Sequence, residues 1–113
     1  MAKDDYFVIV YKILAYLYKQ LKSGQPVEKE MLLHNGPLFE INEAYWVYIF
    51  QNMLDQGFIR GIHNYRSAGG YYIKEQLAEC QITPEGIGYL CDNNLMEKAK
   101  RFLKDVKDIT PFI

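Results

Sequence analysis

Cysteine is scarce: only Cys80 and Cys91 are present, and they lack CxxC spacing. Such a pair cannot build a disulfide scaffold or a metal cluster, and reads as two small reduced hydrophobes of a cytosolic protein. Histidine is equally sparse, with His34 and His63 alone. Neither has a carboxylate spaced as an orienting partner, so neither reads as a catalytic or ligating group. Charge of one sign is missing too. Thirteen Lys and Arg face fourteen Asp and Glu, a net charge of −1. The totals therefore advertise no nucleic acid, membrane or acidic partner, and any electrostatic argument must be local. A long hydrophobic run is also absent. The apolar stretch from Tyr6 to Tyr18 is broken by Lys12 and preceded by Asp4 and Asp5. A signal peptide needs a basic start and an unbroken core, and a membrane span needs about 20 apolar residues. A soluble, cytoplasmic protein is expected. No GxGxxG, P-loop, HExxH or nucleophile with base and orienter occurs, and Glu40 with Glu43 would need a pocket that the sequence does not predict. The expectation is no enzyme, no cofactor and no metal.

What is present suits one compact domain spanning residues 1–113: half of the residues are apolar and 24% are charged. Ten tyrosines are many for this length, and some must be partly exposed, where Tyr serves contact surfaces well. A first helix is expected over about 4–22, with one apolar stripe at Phe7, Val10, Leu14, Leu17 and Leu21. A second stripe, Val8, Tyr11, Ala15 and Tyr18, implies a second contact: either the C-terminal helix of the same chain or a second protomer. Ser23-Gly24 ends this helix, and Pro26 opens a short second helix over about 27–35 with His34 in its last turn.

The stretch from Ile41 to Leu90 is expected to organise the rest. Asn42 caps a third helix over about 42–56, Glu43 suits its dipole, and Ile41 with Trp46 forms a hydrophobic staple. Its core face is Trp46, Ile49, Phe50, Met53 and Leu54. Its outward face is Ala44, Tyr45, Tyr48, Gln51, Asn52 and Asp55. Gly57 closes the helix. Two wing strands follow, about 58–66 and 71–82, reversed at Gly69-Gly70. Thr83 caps a fourth helix over about 83–92, with Pro84 in its first turn and Ile87, Leu90 and Cys91 facing inward. After a break at Asp92-Asn93-Asn94, a last helix over about 95–108 carries Met96, Ala99, Leu103 and Val106 in register. The apolar tail Thr110-Pro111-Phe112-Ile113 is expected to dock. Two helices, then helix, hairpin and helix, with one added C-terminal helix, reads as a mostly helical α+β fold of the winged helix-turn-helix class.

Particular residues carry a resemblance. Met53-Leu54-Asp55-Gln56-Gly57-Phe58-Ile59 resembles the recognition-helix exit of winged-helix regulators, and Ile82 to Leu90 is similar to the helix start after their wing. Val8 to Leu14, Asn42-Glu43 before Trp46, Gly57 to Ile62, Thr83, Gly86 and the Lys-rich end at Lys107 to Pro111 together resemble the YjcQ-like family. This is a group of small winged-helix proteins of Firmicutes and their phages. The resemblance spans essentially the whole chain. It implies a DNA-binding transcription regulator of phage or mobile-element type, on the analogy of fold.

The local chemistry divides this expectation. Residues 23–59 hold Lys29 alone as a base against Glu28, Glu30, Glu40, Glu43 and Asp55. That is a poor surface for phosphate. Gln51 and Asn52 suit adenine, but they sit late in the helix. The wing differs: Arg60, Arg66 and Lys74, with His63, lie in a stretch free of acid. Arg66 at the tip is placed to reach a phosphate or the minor groove, or else to solubilise an exposed hairpin. The candidate DNA-binding residues are Arg60, His63, Arg66, Lys74, Tyr45, Tyr48, Gln51 and Asn52. A homodimer is expected, if at all, through Val8, Tyr11, Ala15, Tyr18, Met96, Ala99, Leu103 and Val106. The Lys-rich last helix reads as a solvated face. The competing class is a protein–protein adaptor using the acidic, Tyr-rich face of the third helix.

Overall fold

The computed structural model describes residues 1–63, 66–67, 70–71 and 73–107, with side chains described outside 64–75. Helix α1 spans Tyr6–Ser23 and is the axis of the molecule. Every residue from Val8 to Leu17 is buried, because α2 (Glu43–Asp55), α3 (Pro84–Asp92), α4 (Asn94–Asp105) and strand β4 (Gln81–Ile82) all pack on it. The two apolar stripes thus serve one purpose, encasement. This corrects the expectation that residues 41–90 organise the chain, since that unit is itself built around α1. Lys12 is drawn in with its neighbours and is only 4% exposed. Its Nζ donates to the Leu38 carbonyl at 2.8 Å, as a buried ammonium must find an acceptor. The first stripe fails at its end, where Leu21 is 55% exposed.

The expected second helix is reduced to a 3-10 turn, Lys29–Leu32. Two bonds hold the chain ahead of it extended along α1: Glu28 N–H donates to the Tyr16 hydroxyl at 2.9 Å, and Gln20 Nε2 donates to the Pro26 carbonyl at 2.7 Å. Beyond the turn, Asn35 bridges Glu40 and Ile41 N–H donates to the His34 carbonyl at 2.8 Å. Those bonds use the backbone that a helix to residue 35 would have needed.

Helix α2 begins as expected, the Asn42 side chain accepting from Ala44 N–H at 2.8 Å. Trp46, Val47, Ile49, Phe50 and Met53 are buried, and Leu54 is half-buried. The helix ends in a paired C-terminal motif: Phe58 N–H donates to Met53 O at 2.9 Å and Gly57 N–H to Leu54 O at 3.0 Å. Gly57 adopts φ +75°, which its lack of Cβ permits. Thr83 locks this exit to the next helix. Its N–H donates to Phe58 O at 3.0 Å, its hydroxyl donates to Gly57 O, and the same oxygen accepts from Gly86 N–H at 3.0 Å.

Between these joints the strands are shorter than expected. Strand β1 (Ile59–Arg60) pairs antiparallel with β4, in register Ile59 with Ile82 and Arg60 with Gln81. A separate hairpin, β2 (Arg66–Ser67) with β3 (Gly70–Tyr71), places Arg66 opposite Tyr71. The second wing strand does not run on from 71 to 82, because Ile73–Glu79 turns into a 3-10 helix that sinks Leu77 into the core. Its Gln76 side chain takes over as partner of the other strand. Oε1 accepts from His63 N–H at 3.0 Å, and Nε2 donates to His63 O at 3.3 Å. The Gly69 half of the expected turn and the tail 110–113 lie outside the described residues.

Asn93 alone separates α3 from α4, capping the latter by accepting from Leu95 N–H at 2.8 Å. Within α3 only Gly86 is buried, and Cys91 is exposed rather than inward. Helix α4 lays Met96, Ala99 and Leu103 on α1. The arrangement is a mostly helical α+β fold of winged-helix-like layout with an added C-terminal helix.

Candidate nucleic-acid interface

In a winged-helix layout the exposed face of α2 and the hairpin after it form one working surface. Tyr45 is half-buried, and its hydroxyl donates to the Asp4 carbonyl at 2.8 Å, tying α2 to the start of the chain. Burial, and after it the nearby Asp4 and Asp5, pushes its phenol above the usual range. Gln51 Nε2 donates to Asp55 Oδ1 at 2.7 Å, and Asn52 Nδ2 donates to the Tyr48 carbonyl at 2.8 Å. Bidentate adenine reading needs an amide donor and acceptor together, and both amides already spend a donor within the helix. Tyr48 is the protruding side chain, 60% exposed.

The basic candidates do not share one surface strand. Arg60 is exposed on β1, and His63 is exposed where Gln76 holds its backbone. Arg66 belongs to the separate hairpin and Lys74 to the 3-10 helix. The side chains of Arg66 and Lys74 lie outside the described ones.

The dimer candidates are largely spent inside the chain. Val8, Tyr11 and Ala15 of α1 and Met96, Ala99 and Leu103 of α4 are buried, with the two helices packed on each other. Tyr18 is half-buried beneath Lys22, whose Nζ lies 4.3 Å from the ring centroid, and Val106 is exposed beyond the end of α4. The second stripe therefore has its partner within the chain, and the reason for a second copy at these positions falls away.

Residues 11–109 match the family model described as YjcQ protein. The chain belongs to that family. No curated protein and no solved structure matches it.

Two features of this YjcQ-family chain escape sequence reading. His34 does have a carboxylate: its Nε2 lies 3.3 Å from Glu43 Oε2, while Nδ1 lies 3.2 Å from the Ile41 carbonyl and the ring meets Trp46 edge-on. The loop through residues 35–42 brings them together, so spacing along a helix gave no hint. An aromatic groove of about 310 Å³ also runs beside α2, lined by Tyr6, Tyr48, Phe58 and Tyr89 with the amides of Asn52 and Gln56. Phe58 and Tyr89 stack at 4.3 Å, and Tyr6 meets Tyr48 edge-on at 6.1 Å. The Tyr6 phenol is raised by burial first and then by the Tyr48 hydroxyl. The count of ten tyrosines was the one sequence signal for such a groove. Among the described residues, no cluster of His, Cys, Asp or Glu is placed to hold a metal ion, and no helix is long and apolar enough to cross a membrane.

Proposed function

We propose that this protein binds duplex DNA as a regulator of phage or mobile-element type, with the wing supplying most of the affinity. The observation that carries this reading is the acid-free stretch from Arg60 to Lys74, with three permanent cations, in the wing position after α2. Phosphate neutralisation is the first requirement of duplex binding, and α2 cannot meet it. Its outward side chains are acidic or neutral, and its amides are engaged within the helix. The helix then contributes shape and Tyr48, while Arg60, Arg66 and Lys74 hold the backbone.

Fluorescence anisotropy with random duplex DNA tests this at about 50 and about 200 mM salt. Three phosphate contacts predict a log–log slope of roughly −3 for a monomer. Substituting Arg60→Ala and Arg66→Ala lowers both affinity and slope. Absence of binding at the lower salt refutes the proposal.

A second reading is supported by the same helix: an adaptor that binds a protein through the acidic face bearing Tyr48. An exposed tyrosine between Glu43 and Asp55, beside a neutral aromatic groove, suits a protein contact better than a phosphate. Loss of a partner on Tyr48→Ala, with no DNA binding in the parent, would select it.

A further inference from the structure

We propose that the aromatic groove beside α2 is a binding site for an unpaired nucleobase, carried on a strand whose neighbouring phosphate lies at Arg60. The inference rests on the nucleic-acid part of the function proposed above and names what the groove adds to it. The walls of this groove are open. Val10 and Met53 are buried at its floor, whereas the rings of Tyr6, Phe58 and Tyr89 are partly exposed and Tyr48 protrudes. These rings come from the first turn of α1, the exit of α2, the middle of α3 and the middle of α2. Phe58 and Tyr89 lie nearly parallel, with 25° between their planes, and so form a flat wall. A concavity of about 310 Å³ is at the small end for a ligand site, which suits one planar base.

The polar groups select among flat ligands. No Lys, Arg, Asp or Glu lines the groove, so a charged group gains nothing there. Gln56, the C-cap of α2, keeps both ends of its amide unengaged among the described residues. Asn52, one turn earlier, has spent only its donor, on the Tyr48 carbonyl. A nucleobase edge presents donors and acceptors side by side in one plane, and a carboxamide matches that pattern. A proline-rich segment also suits aromatic grooves, but its prolines present carbonyl acceptors alone and leave the Asn52 and Gln56 oxygens unserved. The strand supplies the rest. Phe58 continues the β1 ladder, its carbonyl accepting from Thr83 N–H at 3.0 Å. Residues two apart on a strand share a face, roughly 7 Å from each other. Exposed Arg60 therefore stands beside the groove, on the Phe58 side. Single-strand binders combine the same two parts, a stacking platform and a cation for the backbone. A paired base cannot enter, because its edge is taken and its faces are already stacked.

The test uses the full chain and a strand of about eight abasic units carrying one 2-aminopurine, whose fluorescence falls when it stacks. At about 50 mM salt saturable quenching is expected, and the base should tighten binding at least about fivefold over the fully abasic strand. Tyr48→Ala is expected to abolish that gain and Tyr48→Phe to keep it. So exposed a side chain does not carry the fold, and circular dichroism checks this. Gln56→Ala lowers the gain without touching the rings. Arg60→Ala weakens both strands alike and leaves their ratio unchanged. Equal binding of the two strands, or a gain that survives Tyr48→Ala, overturns the proposal. So does quenching of free 2-aminopurine riboside at the same concentrations as the strand, since the groove then holds a free nucleoside. Displacement of the base by a proline-rich peptide at lower concentration than the strand overturns it as well. A base-dependent gain without duplex binding sinks the duplex reading and keeps this one, and duplex binding without the gain does the reverse.

Discussion

Two glycines of α3, two residues apart, are expected to respond to the same substitution with opposite sign. A Cβ on Gly86 would lie 2.2 Å from the Phe58 carbonyl oxygen and 2.9 Å from Ile82 Cγ1. The carbonyl cannot easily retreat. It accepts the Thr83 N–H at 3.0 Å, and the neighbouring Gly57 carbonyl is held by the Thr83 hydroxyl. Relief of the clash requires α3 to lift, which strains or breaks those bonds together with the Gly86 N–H to Thr83 cap. Overpacking against backbone with a lost cap costs about 3 kcal/mol or more. For a chain of this size that lowers Tm by roughly 10–15 °C. A Cβ on Gly88 meets nothing within 4 Å, so Gly88→Ala gains only the helix preference of alanine. That is worth about 0.5–1 kcal/mol in favour of the fold. Urea unfolding followed by the fluorescence of Trp46, the only tryptophan and fully buried, reads both variants. If Gly86→Ala costs less than about 1 kcal/mol, or if Gly88→Ala destabilises equally, the close approach of α3 to the α2 exit is wrong.

Thr83→Val removes a cap acceptor and a donor in one step and is expected to cost about 2–3 kcal/mol, while Thr83→Ser keeps both bonds and costs under about 1; urea midpoints decide between them. Trp46→Phe leaves the Leu32 carbonyl, which Trp46 Nε1 serves at 2.8 Å, without its donor in the core; a loss of about 1–3 kcal/mol is expected by circular dichroism. Burial pushes the Cys80 thiol up to about 12, so at about pH 8 a thiol reagent should titrate Cys91 alone in the native protein and both cysteines once unfolded. In linkage terms the folded state keeps the Cys80 proton that the unfolded chain releases near 9. The stabilisation is therefore complete below that value and is lost as pH rises toward 12. Buried Tyr11 and Tyr16, whose phenols are also raised by burial, act in the same direction, so Cys80→Ala should flatten only the first part of the alkaline decline. Asp55→Asn removes a carboxylate from the outer face of α2; DNA affinity should rise a few-fold at about 50 mM salt, and an unchanged or weaker affinity would mean that α2 does not face the duplex.

Much of the fold was legible because its signals are local. The Asn42, Gly57 and Thr83 caps each need one side chain or one missing Cβ at a chain position, and all three sit where their residue types suggest. What failed depended on long-range partners. The second helix gave way to bonds from Tyr16 and Gln20, residues that sequence spacing does not connect to Glu28 and Pro26. The second wing strand broke because Leu77 had a place in the core and Gln76 could serve His63 in place of a strand. The candidate site divided along the same line. Outward exposure of Tyr48 follows from helical period. The tie of Tyr45 to Asp4 and the aromatic groove join elements far apart in the chain, and the Glu43 carboxylate reaches His34 only through the path of the loop between them.

A net charge near zero conceals a separation of charge along the chain. Residues 23–59, α2 and the stretch before it, hold five of the fourteen acids and Lys29 as the one Lys or Arg, whereas residues 60–74 hold three cations and no acid. Such separation costs self-repulsion within each patch, and an even mixture of the same residues would avoid that cost. At physiological ionic strength the screening length is about 8 Å, so patches on different elements act on a partner almost independently. A duplex drawn to the wing is therefore opposed only by acids that come within that length, and Asp55, five residues before Arg60, is the one on the outer face of α2 whose removal the Asp55→Asn variant tests.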